Sequence, residues 1–309
     1  MRTAVTGGAG FIGSNLASRL LSLGHRVVVI DNFHTGSLEV AKLLESRGAE
    51  IHSGEASDVT RLGEFDVIFH LGMPSSSPMY RENPSLVADV VREATEILEY
   101  ARKAGCRVVY ASTSSLYNRH DPPHREDMQV IPTDLYTEAR YWVERLAKVY
   151  HELYGVESVG LRLFSVYGPN ERPKGRFANV VSQMIWAALE GKPFVIYGDG
   201  NQTRDFIYVA DVVEAFMLAW EADVGCGVYN VGTGIETSFN QVASLISEVA
   251  GLELKIERVP NPIKNYVYRT CADVTKAKEE LGFEATTPLR EGLKKIAGAY
   301  RRGELTLAT

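Results

Sequence analysis

Three features of the sequence predict an α/β fold, a Rossmann-type doubly wound parallel sheet with a smaller C-terminal α/β domain. A short apolar strand at residues 2–6 runs into glycines at 7, 10 and 13, and an apolar-periodic helix (Phe11, Ile12, Leu16, Leu20) follows at once. A second buried-type strand, 26–31, ends in the carboxylate of Asp31, 18 residues past Gly13. The first half of the chain then alternates strands with helices, the pattern of a parallel sheet with crossover helices.

Each element has its own warrant. Glycines at 7, 10 and 13 allow a tight turn in which backbone N–H groups and the positive end of the first helix meet a pyrophosphate directly. Asp31 stands where an acidic side chain accepts hydrogen bonds from the adenosine ribose hydroxyls, and its charge would repel a 2′-phosphate, favouring NAD over NADP. Taken alone, an aspartate often merely ends a strand; the spacing from the glycines sets this one apart. Further strands are predicted near 49–53, 65–71, 106–112 and 157–163. Helices are predicted near 11–23, 37–47, 84–104 and 134–154, with Pro84 suited to a helix start. Pro-rich and polar stretches at 73–84 and 118–133 read as loops at the carboxyl edge of the sheet, where ligands bind in such folds. From about residue 166 the rhythm changes. An apolar strand around Phe194-Val-Ile and helices near 177–190, 236–250, 274–282 and 289–302 are joined by irregular segments. The expected division is a cofactor-binding unit over 1–165 and a substrate unit over 166–309, with segments near 203–232 returning to the first.

Composition narrows the function. With 309 residues, 45% hydrophobic and 23% charged, the chain reads as an ordinary globular protein able to bury a large core. A net charge of −6 without a long basic run argues against nucleic-acid binding. Cys106, Cys226 and Cys271 have neither metal-site nor disulfide-framework spacing, so reduced thiols and no metal are expected. No apolar run approaches the length of a membrane span and no signal peptide is apparent, which points to a cytoplasmic protein.

The strand at 106–112 ends in Ala111-Ser112-Thr113-Ser114-Ser115-Leu116-Tyr117, and Asp134-Leu-Tyr136-Thr-Glu-Ala-Arg140 opens a helix. With Thr6–Gly13, Asp31-Asn32, Gly36, His70-Leu71, Leu161–Pro169, Tyr197–Asp211 and Tyr229–Gly234, the chain resembles the extended short-chain dehydrogenase/reductases, and among them the nucleotide-sugar 4-epimerases. The resemblance spans nearly the whole chain. It implies that Thr113 bonds the sugar hydroxyl undergoing oxidation and that Tyr136 takes its proton as a tyrosinate. Hydride would pass from C4 to NAD, and the transient 4-keto sugar would turn over and take it back from enzyme-bound NADH on its other face. UDP-galactose and UDP-glucose are the implied substrates. A phenol needs nearby positive charge to act as a base at neutral pH, which the nicotinamide and a cationic side chain supply. Judged singly, Tyr136 could be a surface tyrosine, Thr113 a strand-ending hydroxyl and Arg204 the partner of Asp205 or Asp199.

Carried over residue by residue, the resemblance implies a cofactor lining of Gly7, Gly10, Phe11, Ile12, Gly13, Asp31, Asn32, Thr35, Gly36, Glu55, Ala56, Leu71, Gly72, Met73, Ala111, Tyr136, Arg140 and Phe164. It implies a substrate lining of Ser112, Thr113, Ser165, Asn179, Val180, Val195, Tyr197, Arg204 and Lys264. Arg204, a guanidinium fork suited to phosphate oxygens, would hold the diphosphate; Tyr197 would pack against the base.

The chain also departs from that family. Its tyrosine motif carries lysine four residues on, where this chain has Arg140. The i, i+4 spacing keeps the cation on the tyrosine's face, roughly 6 Å along the axis, but a planar fork is no like-for-like replacement. Val91 and Ser165 stand where asparagines are usual. Asn261-Pro-Ile-Lys-Asn-Tyr266 replaces the usual Arg-x-Gly-Asp run, leaving Lys264 or Arg269 to neutralise the diphosphate. Relatives that eliminate or decarboxylate carry an acid just after the strand-end hydroxyl; Ser114 and Ser115 follow Thr113 here. Epimerisation is therefore the leading expectation, with a net nucleotide-sugar oxidoreductase or a poorly catalytic binding protein as alternatives. Apolar faces on the helices at 84–104 and 134–154 suggest a homodimer, although such faces are usually core.

Overall fold

Runs of Val, Ile and Ala without polar alternation form strands buried on both faces, as parallel strands must be. The computed structural model describes residues 1–251, 253–264, 266–303 and 307. In chain order its elements are β1 (Arg2–Thr6), α1 (Phe11–Ser22), β2 (Arg26–Asp31), α2 (Leu38–Ser46), β3 (Glu50–Ser53), β4 (Val67–His70), α3 (Ser77–Glu82), α4 (Leu86–Ala104), β5 (Arg107–Thr113), α5 (Leu135–Tyr154), β6 (Ser158–Leu163), β7 (Ser165–Tyr167), α6 (Val180–Glu190), β8 (Phe194–Tyr197), β9 (Thr203–Tyr208), α7 (Val209–Glu221), β10 (Cys226–Val231), β11 (Glu236–Ser238), α8 (Phe239–Ala250), β12 (Ile256–Val259), α9 (Thr275–Leu281) and α10 (Leu289–Arg302).

Seven strands pair in the order β10-β6-β5-β4-β1-β2-β3, all parallel. The order reverses between β1 and β4, so the crevice beyond their carboxyl ends is where a ligand binds in such a sheet. One core layer, with Leu16, Leu20 and Phe216, packs α1 and α7 on one face. The other, with Val90, Ile97, Ala139 and Val143, packs α4 and α5 on the opposite face. A third core, including Met184, Val242 and Ile296, joins α6, α8 and α10. A three-stranded sheet, β11-β9-β7, and the β8/β12 pair complete the fold.

The predicted strands and helices of the first half form within a few residues of their expected ends. Residues 73–84 correct the sequence reading, because Ser77–Glu82 is helical rather than loop. Its Pro78 lies within the first helical turn, where a missing N–H costs nothing, and Met79 and Tyr80 are buried. Strand β10, within the segment expected to return to the first unit, pairs with β6, and α7 packs on α1. On α5, Leu135, Trp142, Val149 and Leu153 stay exposed, on the helix expected to meet a second copy.

Candidate active site

Beyond the carboxyl ends of β1, β2, β4, β5 and β6 lies a cleft of about 920 Å³. Its floor is the glycine turn. Gly7 has φ +66°, and a Cβ there would come within 2.8 Å of the Gly72 backbone; one on Gly13 would collide with the Gly7 carbonyl. Only hydrogen fits at either position. Helix α1 has no side-chain cap and no acidic residue in its first turn, so its leading N–H groups face the cleft available to an anion.

Asp31 closes the turn. Its Oδ2 accepts from Ala9 N at 2.9 Å and its Oδ1 from Phe33 N at 2.8 Å. Burial pushes its carboxyl upward, opposed by those backbone donors. Asp31 still lines the cleft, so the acceptor capacity left over can take ribose hydroxyls. Asn32 donates to Glu55 Oε2 at 3.0 Å, which carries the lining from β2 to β3. On the β4 side, Thr6 Oγ1 accepts from Gly72 N and bonds His70 Nδ1. Burial, with the Arg140 charge adding to it, lowers the His70 imidazole to about 3. That ring is neutral throughout the physiological range.

Thr113 ends β5, its Oγ1 accepting from Ser115 N at 3.1 Å. Tyr136 is the second residue of α5, whose start is fixed by a reciprocal cap between Asp134 and Thr137. Its ring packs 5.5 Å from that of Tyr80, and both Thr113 and Tyr136 line the cleft. One helical turn on, the Arg140 Cζ lies 5.4 Å from the Tyr136 ring centroid, so positive charge is kept beside the phenol. The fork itself is committed elsewhere. It donates to Met73 Sδ and to the carbonyls of Ala111, Met73 and Pro74, while Nε is buried without a partner. Arg140 thus ties the 73–74 segment to β5.

Of the expected cofactor lining, all but Gly36 faces the cleft. Gly36 instead makes room for the Asp31 carboxylate, 2.5 Å from where its Cβ would stand. The substrate lining needs more correction. Thr113, Ser165, Asn179 and Arg204 face the cleft. Ser112 borders it, but strand alternation turns its hydroxyl away to donate to Glu144 at 2.5 Å. Val180, Val195, Tyr197 and Lys264 lie outside the lining. On β8 only Ile196 is buried, leaving Val195 and Tyr197 about two-fifths exposed, and Lys264 points to solvent while Ile263, Tyr266 and Val267 take its place.

Arg204 sits between the rings of Tyr266 (5.5 Å) and Phe239 (5.6 Å) and donates to Thr203 O. Burial lowers its pKa. The ion-pair alternative fails, since Asp205 is engaged by Thr233, Gly234 and Ala272 and Asp199 by Asn201. Sequence reasoning missed Ser75–Ser77, Arg81, Glu93 and Lys174, all of which line the cleft. Lys174 pairs with buried Glu171 at 3.1 Å and stands 5.5 Å from the Phe11 ring. No periodic signal marks these positions.

Comparison with known proteins agrees with this geometry. The model of the NAD dependent epimerase/dehydratase family matches residues 3–232. A UDP-glucose 4-epimerase of Mycolicibacterium smegmatis is 36% identical over 97% of this chain and 99% of its own. A UDP-glucuronic acid decarboxylase of Arabidopsis thaliana is 35% identical over 97% of this chain and 70% of its own. Among solved structures, UDP-glucose 4-epimerase of Thermotoga maritima with UDP-glucose superposes with a TM-score of 0.91, at 32% identity, covering 98% of this chain and 99% of that one. The chain belongs to the NAD-dependent epimerase/dehydratase family, a class of nucleotide-sugar enzymes, and its cofactor is NAD. The uncapped helix, the glycine cradle and Asp31 fit that cofactor.

Proposed function

We propose that this enzyme is a 4-epimerase that interconverts UDP-galactose and UDP-glucose. The observation carrying the reading is that Thr113 and Tyr136 line one cleft with the glycine turn and Asp31, while serines, not an acid, follow Thr113. Bound NAD supplies the hydride acceptor and donor. The Thr113 hydroxyl orients the C4 hydroxyl, Tyr136 receives its proton and later returns it, and Arg140 keeps a positive charge beside the phenol. Arg204, clamped between two rings, takes the diphosphate. Incubating the purified protein with UDP-galactose and no added NAD tests this: UDP-glucose should form without release of NADH. Stoichiometric NADH would make it a net oxidoreductase, carbon dioxide from UDP-glucuronic acid a decarboxylase, and inertness toward every nucleotide sugar would remove the enzymatic reading.

The Arg140 arrangement gives a second test. Arg140→Lys preserves the charge but leaves carbonyls of Met73, Pro74 and Ala111 short of donors. Turnover is expected to stay within about tenfold, and stability to fall by about 1–3 kcal/mol in urea unfolding. Complete loss of turnover in a folded variant would show that the pocket is built around the guanidinium.

A further inference from the structure

Strand β3 pairs beside β2 with Ser53 opposite Asp31, and the chain continues through Gly54, Glu55 and Ala56 into a short 3-10 turn at Ala56–Arg61 that packs against α4. A dinucleotide whose ribose met Asp31 would have room for its adenine between that turn and α4. This end of the cleft is lined by Ala56 and Val90, which suit the faces of a flat base, and by two carboxyl groups, Glu55 and Glu93. Glu93 is only 7% exposed, and among the described residues no side chain or backbone group hydrogen-bonds or ion-pairs with it. Its carboxyl opens only onto the cleft, so a ligand that fills this end must satisfy it or leave it desolvated at a cost.

The charged and titratable groups around it are Glu55 across the slot, Tyr80 on α3, and Asp89, Arg92 and Glu96 on its own helix. Arg92 is already paired with Asp89 at 3.1 Å. Burial first, then the Glu55 charge, raises the Glu93 carboxyl to about 7. Adenine offers one donor group, the exocyclic amine, flanked by ring nitrogens that only accept. One ionised carboxylate can accept from the amine. A second beside it would face an acceptor lone pair, whereas a carboxylic acid carries the O–H that a ring nitrogen needs.

We propose that Glu93 is a second adenine-reading group, which as a carboxylic acid donates its O–H to a ring nitrogen of the base while Glu55 accepts from the exocyclic amine. The sign follows. Binding needs the protonated form, so affinity is fully present below the Glu93 pKa and declines above it, each nucleotide bound at alkaline pH taking up a proton.

Calorimetric titration of the nucleotide-free protein with ADP-ribose tests this without turnover. From about pH 6 to about pH 9 the wild-type Kd should rise roughly tenfold or more. Glu93→Gln, whose amide donates at every pH, should bind with little pH dependence. Glu93→Leu should be weak throughout, by roughly tenfold at the acid end. A Glu93→Gln profile that parallels wild type, or a folded Glu93→Leu that binds ADP-ribose normally at acid pH, would overturn the assignment. Failure of the wild-type protein to bind at any pH would instead strike at this cleft as the cofactor site.

Discussion

Replacing Tyr136 with phenylalanine is expected to lower kcat by roughly 10²–10⁴-fold, the usual contribution of a positioned general acid–base group, while NAD stays bound. The substitution removes one oxygen and nothing else. The ring keeps its place because the Asp134–Thr137 cap fixes the start of α5 and the tilted Tyr80 ring packs beside it. Stability should therefore move by less than about 1 kcal/mol. A change confined to kcat, with KM for the nucleotide sugar little altered, is the signature of an interaction made in the transition state alone. The measurement is steady-state turnover of UDP-galactose alongside NAD content by absorbance. Near-normal kcat would remove Tyr136 as the base and shift attention to the hydroxyls around Thr113.

What the sequence could disclose divides along physical lines. The glycine turn was legible because its cause is local: a strand, three residues without side chains and an amphipathic helix are contiguous. Helix α3 was not, because Ser75–Pro78 has loop composition and the helix is held by tertiary burial of Met79 and Tyr80. Helix α7 escaped notice for the opposite reason. Buried on most sides between α1 and the sheet, it lacks the polar face that gives a period of 3.6. At the site, alternation along β5 places the Thr113 and Ser112 side chains on opposite sides, which is why Ser112 borders the cleft while its hydroxyl turns to Glu144. Tyr197, Val195 and Lys264 are different, since which side of an edge segment faces a ligand depends on chain packed against it from elsewhere. Glu93 was invisible for the same reason: a glutamate on an amphipathic helix is ordinarily solvated, and chain from elsewhere, including the turn after β3, packs against this helix.

The hydroxyl that Ser112 turns from the cleft leads to the second large effect. Glu144→Ala is expected to cost about 3–5 kcal/mol of stability, because it strands a buried guanidinium. Glu144 accepts from Arg162 at 2.9 and 2.6 Å and from Ser112 at 2.5 Å, and the two charged side chains are 5% and 3% exposed. Arg162 continues to the Tyr117 hydroxyl at 2.7 Å, and Tyr117 to Asn230 at 2.8 Å, so one network ties α5, β5, β6 and β10 together. Burial alone would lower the Arg162 pKa; its bonds to Glu144 outweigh that and raise it. Ser112 precedes Thr113, and Glu144 lies two turns beyond Tyr136 on the same helix. The carboxylate therefore also holds the elements that carry Thr113 and Tyr136, the two side chains proposed to react, and on that proposal the variant should lose kcat beyond what unfolding explains. Lys148→Ala, breaking an exposed 3.7 Å pair with Glu152, serves as the control and should change stability by less than about 1 kcal/mol. Urea unfolding midpoints read both. Because the main penalty is an unpaired buried charge, the double variant Glu144→Leu, Arg162→Met should recover much of the stability lost by Glu144→Ala. It should not recover kcat, since an apolar pair supplies no acceptor to hold Ser112. Recovery of both would mean that packing alone positions Thr113 against Tyr136; a loss below about 1 kcal/mol in Glu144→Ala would mean that solvent reaches Arg162.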